Sequence, residues 1–122
     1  MLTFFIFSLP FISENSFIFD RSLEDAVVQR ARKTINEVDA QMAELFEKRM
    51  EAVRQVLAYK KEHNLPILDA AREQAVIEKG CARIQDPVLK PYYEELLVKQ
   101  MELSRRYQKT LLDEAWEKSR EI

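Results

Sequence analysis

At 122 residues, 47% hydrophobic and 33% charged, the chain has the length of one domain. A net charge of -2 supplies no basic footprint, so nucleic acid is not an expected partner. One glycine and four prolines leave too few breakers for the turns of a β-rich fold, and long helices are expected instead.

The first residues, MLTFFIFSLPFI, are strongly apolar, and SENSFIFD continues the trend weakly. A secretory signal would add a basic leading region and a small-residue cleavage site. The first basic residue is Arg21, and no such site follows the apolar run. Residues 1–20 therefore read as an apolar extension of unknown role ahead of a module spanning 21–122, with secretion as the alternative. No stretch approaches the roughly 20 apolar residues of a membrane span, so no stable span is expected. The single cysteine, Cys81, has no internal disulfide partner. That agrees with a reducing, cytoplasmic compartment.

Ser22 opens S-L-E-D, a capping-box-like helix start. From there Val28, Ala31, Ile35, Val38, Met42 and Leu45 recur at spacings of three and four, and after a gap of eight Val53 and Val56 resume the pattern, which draws an apolar stripe along one helix face. The pattern runs to about His63, for roughly 60 Å. Short helices of the same chain cannot cover such a stripe, so a homodimer built on this helix is expected. Asn64-Leu65-Pro66 ends it, because proline disfavours helix at the residue before it. A second helix is expected from about Ala70 to Ala82, with Gly80 and Asp86-Pro87 marking the next break. A third runs from about Lys90 to Trp116, its stripe including Tyr93, Leu96, Leu97, Met101, Tyr107, Leu111 and Trp116. The fold class is all-α, in the order long, short, long.

The informative charges are those lying on or beside the stripes. Arg49 falls four residues after Leu45 and four before Val53, and Lys60 four after Val56. The two lie about three turns apart, nearly on one face and roughly 16 Å apart along the axis. Two extended basic side chains converging from there suit a small dianion, whereas the bland alternative is a pair of snorkelling stems. Arg32 lies too far up the same helix to reach that ligand, but in an antiparallel dimer it would reach the partner's site. Asp69, Arg72 and Glu73 stand at i, i+3 and i+4, on one face of a first helical turn. Ser104 and Gln108, at i and i+4, pair two neutral hydrogen-bonding groups on one face of the third helix. No paired Cys or His ligands, glycine-rich phosphate loop or Ser-His-Asp set is present, so neither metal nor cofactor is expected.

In order along the chain stand R-x-x-I-x-x-V-D (Arg32 to Asp39), EKRM around Arg49, YKKEHNLPI-x-D (Tyr59 to Asp69), R-E (Arg72-Glu73) and S-x-x-x-Q (Ser104 to Gln108). With these blocks the sequence resembles the all-helical (AroQ-type) chorismate mutases from about Ser22 to Leu112. The resemblance implies an intertwined homodimer of three-helix chains converting chorismate to prephenate on the route to phenylalanine and tyrosine. It further implies that Arg49 and the partner subunit's Arg32 each clamp a carboxylate, and that Lys60 and Gln108 donate to the breaking ether oxygen. Glu73, with the backbone near Asp69, would hold the ring hydroxyl. Arg72 and Ser104 would complete the carboxylate contacts. The dehydratase, dehydrogenase and feedback-control domains fused in some relatives are not expected here. Two alternatives stand beside this reading: an isochorismate-pyruvate lyase of the same fold, and a non-catalytic helical dimerisation module. The row of cations on the seam argues against the second, because unpaired buried charge is costly.

Overall fold

The computed structural model describes residues 14–121, with side chains from Arg21 onward. It consists of helices α1 (Glu14–Glu62), α2 (Ala70–Ala82) and α3 (Lys90–Arg120), with no strand among the described residues. Residues 1–13, the greater part of the apolar extension, lie outside the described residues.

Helix α1 begins upstream of the expected start. Ser22 lies inside the helix rather than at its cap. The preceding ENSFIFD contains neither glycine nor proline, so nothing in it stops helix propagation. A capping motif competes with continuation and prevails only where the residues before it resist helix.

The other end is built by backbone and side chain together. Asn64 takes a left-handed conformation (φ 54°). Leu65 N–H donates to the Lys60 carbonyl at 2.8 Å and Asn64 N–H to the Lys61 carbonyl at 3.4 Å. These two bonds make a Schellman motif, which satisfies carbonyls left without helical partners. Asparagine tolerates the left-handed region better than most residues, and Pro66 then prevents re-entry into the helix.

Asp69 caps α2: its Oδ1 accepts from Arg72 N–H at 3.0 Å and its carbonyl accepts from Glu73 N–H at 2.9 Å. Gly80 does not break this helix. It lies within α2, buried against Leu97 of α3, where an added Cβ would run into Leu97 Cδ1. Glycine eases the close approach of the two helices there, and no positive φ or turn calls for it. The helix ends at Ala82, and in the connection that follows Asp86 Oδ1 accepts from Val88 N–H at 2.9 Å. Pro91 then occupies the first turn of α3. The last turns of α3 continue past Trp116 to Arg120, because EKSR holds good helix formers and no breaker.

Packing divides the chain into two units, with the boundary inside α1 between Leu45 and Phe46. In the first unit every described side chain is exposed. Its apolar stripe is exposed too, from Val28 at 44% to Leu45 at 61%. In the second unit, Leu57, Leu97 and Met101 form the buried apolar core. The stripe reading chose Val56 where Leu57 is the residue that turns inward; Val56 remains 51% exposed. Leu96 and Trp116, placed on the apolar stripe of α3 by spacing, are exposed as well. No helix among the described residues is long and apolar enough to cross a membrane.

Candidate active site

Within the second unit, the last turns of α1, the loop after it, the first turns of α2 and the middle of α3 surround a cavity of about 270 Å³. Helix periodicity explains who faces it. Arg49, Val53, Val56 and Lys60 follow at spacings of four, three and four, a single face of α1. Asp69, Arg72, Glu73 and Val76 share the first turns of α2, and Met101, Ser104 and Gln108 repeat every three or four residues on α3. Every predicted site residue except Arg32 therefore borders one space. Arg32 is exposed in the first unit and does not line the cavity.

The polar groups of the cavity are tied to one another. Arg49 Nη1 donates to Ser104 Oγ at 3.1 Å. Lys60 Nζ donates to the Ile67 carbonyl at 2.6 Å and to Gln108 Oε1 at 3.5 Å. Gln108 Nε2 donates to the Ser104 carbonyl at 3.1 Å. Ser104 and Gln108 are buried, at 6% and 5% exposure, so their polar atoms require such partners. An ammonium has three donors and a primary amide two. Lys60 and Gln108 thus each retain one N–H that these bonds do not use.

The charge balance of the cavity favours an anion. Its two acids are already committed: Asp69 caps α2, and Glu73 is ion-paired with Arg105 of α3. Arg49, Lys60 and Arg72 have no carboxylate partner among the described residues. Burial holds the Arg49 pKa below the ordinary guanidinium value, and the neighbouring Arg72 cation adds to the effect, with Tyr93 opposing it. Three cations around a small cavity, one of them partly desolvated, suit a ligand carrying more than one negative charge.

A family model for chorismate mutase type II matches residues 31–109. The chain belongs to that family. The chorismate mutase match begins one residue before Arg32 and ends one after Gln108, so it encloses all the predicted site positions. The all-helical architecture accords with it. Membership supports chorismate mutase activity in general terms. Comparison with curated proteins and with solved structures gives no match.

Two features of this cavity escape the sequence reading. The first is the Ile67 carbonyl as an anchor for Lys60, a backbone group that no residue pattern reveals. The second is Arg105. In S-R-R-Y-Q it is indistinguishable from Arg106 beside it, yet Arg105 reaches Glu73 and is partly buried, whereas Arg106 is exposed.

Proposed function

We propose that this protein is a chorismate mutase, an isomerase converting chorismate to prephenate in phenylalanine and tyrosine biosynthesis. The observation carrying the proposal is the convergence of Arg49, Lys60, Arg72, Ser104 and Gln108 on one cavity, with no carboxylate among the described residues neutralising Arg49 or Lys60. The reaction is a Claisen rearrangement. The ether C–O bond of the enolpyruvyl group breaks as a C–C bond forms, and no atom enters or leaves. Its barrier falls when the flexible dianion is held in its compact reactive conformer and when the charge growing on the ether oxygen meets fixed donors.

In this mechanism Arg49 holds one substrate carboxylate, with Ser104 fixing the guanidinium and Arg72 adding a second cation. The unused N–H groups of Lys60 and Gln108 converge on the ether oxygen. Glu73, beside Asp69, accepts from the ring hydroxyl. The second carboxylate is assigned to Arg32 of the partner subunit. A second copy of the chain is the proposed occupant of the exposed stripe of α1, where Val28, Ile35, Val38, Met42 and Leu45 recur in a heptad-like pattern. These side chains are about half exposed, so covering what remains of each contributes about 1 kcal/mol. The single Cys81 is consistent with a cytoplasmic setting.

The test is direct. Purified protein is incubated with chorismate, the loss of its ultraviolet absorbance is followed, and the product is identified after acid conversion to phenylpyruvate. Rapid conversion supports the proposal. A folded protein that leaves chorismate untouched refutes it, and release of pyruvate from isochorismate in its place assigns the lyase reaction instead.

A further inference from the structure

We propose that Arg105 is a positioning residue that acts through Glu73, and this rests on the mutase reading above. Arg105 Nη1 donates to Glu73 Oε1, linking α3 to the first turn of α2. Both side chains are partly buried, at 35% and 21% exposure. Glu73 borders the cavity, whereas Arg105 does not.

A carboxylate at the edge of a dianion site is a liability unless something controls it. Its negative charge repels the substrate. It is also a ready partner for Arg49, Lys60 and Arg72, the cations that line the same space. Arg105 answers both difficulties from behind. Its cation offsets the charge of Glu73, and its N–H engages one carboxylate oxygen. The other oxygen remains to accept from the ring hydroxyl. Without Arg105, Glu73 is released to pair across the cavity with the cations that clamp the substrate carboxylates, so the first consequence is weaker substrate binding.

The experiment is a double-mutant cycle on the full chain, with kcat and KM for chorismate measured for wild type, Arg105→Ala, Arg105→Lys, Glu73→Gln and Glu73→Gln with Arg105→Ala. Arg105→Ala is expected to raise KM about tenfold, the scale of one partly exposed charge-assisted hydrogen bond, with a smaller change in kcat. Arg105→Lys keeps the charge but loses the planar fork, and is expected to recover part of the loss. In the Glu73→Gln background, Arg105→Ala is expected to change KM less than twofold, because its target charge is gone. A merely structural role predicts the same loss in both backgrounds, and that result overturns the proposal. Wild-type turnover with an unaltered Arg105→Ala variant also overturns it while leaving the mutase reading intact. Absence of wild-type turnover overturns both.

Discussion

Replacing Lys60 by alanine removes two things at once, and the structure separates them. The ammonium is the cation assigned to the ether oxygen. Deleting one preorganised donor to a developing oxyanion typically costs about 2.7–4 kcal/mol, or roughly 10²–10³ in kcat. The same ammonium also donates to the Ile67 carbonyl at 2.6 Å, tying the loop after α1 to the helix. A charge-assisted hydrogen bond contributes about 1.5–3 kcal/mol when well buried. Lys60 is only partly buried, so solvent screening reduces this to about 1 kcal/mol. For a chain of this length that is a fall of roughly 3–5 °C in Tm. Initial rates at saturating chorismate and a thermal melt on the same preparation read the two effects independently. Lys60→Met, which keeps most of the stem, is expected to match the alanine variant in rate. A folded Lys60→Ala protein with kcat within tenfold of wild type would refute the placement of Lys60 at the breaking bond.

The Arg49 pKa is depressed by burial, so the folded state holds this proton less tightly than the unfolded chain does. At neutral pH the residue is charged in both states, and its desolvation subtracts from stability until pH rises through the folded pKa, far into the alkaline range. Arg49→Met is therefore expected to lose at least about 100-fold in kcat/KM without lowering Tm at pH 7; a drop of several degrees counts against the argument. Arg32→Ala and Arg49→Ala are each expected to be inactive, yet subunit exchange between them should restore partial activity through heterodimers with one intact site. No recovery after verified exchange would sink the sharing of Arg32. Gln108→Glu is expected to work only in acid, since a protonated carboxyl donates and a carboxylate does not; a flat pH–rate profile would remove Gln108 from the ether oxygen. Gly80→Ala sets an overpacking cost of about 1–3 kcal/mol against Leu97 against a helix-propensity gain of about 1 kcal/mol. A modest net loss is expected in chemical denaturation, relieved by Leu97→Ala, and a gain in stability would show that Leu97 yields freely.

Much of this molecule can be read from its breakers. Asn64-Leu65-Pro66 and Asp86-Pro87 divide the helices because proline and left-handed asparagine act locally, whatever the rest of the chain does. The start of α1 is less legible: Ser22 carries a cap signal that takes effect only if the upstream residues decline to be helical. Residue spacing brings Arg49, Lys60, Arg72, Ser104 and Gln108 to one cavity because each lies on a regular helix whose faces repeat. Spacing cannot decide between Val56 and Leu57, which are neighbours on the helix and equally apolar. Which one is buried depends on where α3 crosses, a tertiary fact. Gly80 reads only as a sign of the coming helix end, and its packing against Leu97 is hidden for the same reason. Arg105 has no local signature at all, because its significance lies in a residue 32 positions away.

Lys60 closes a small ring with the loop that follows it. Its carbonyl accepts from Leu65 N–H, and its ammonium returns to the Ile67 carbonyl. A long side chain with about 2 kcal/mol of rotamer entropy is thereby fixed before any ligand arrives, and the ordering is completed in folding rather than at binding. The arrangement also makes the reactive geometry hostage to a few loop residues. On heating, fraying of residues 63–68 would free the ammonium while the helices still stand, so loss of turnover should precede loss of helical signal.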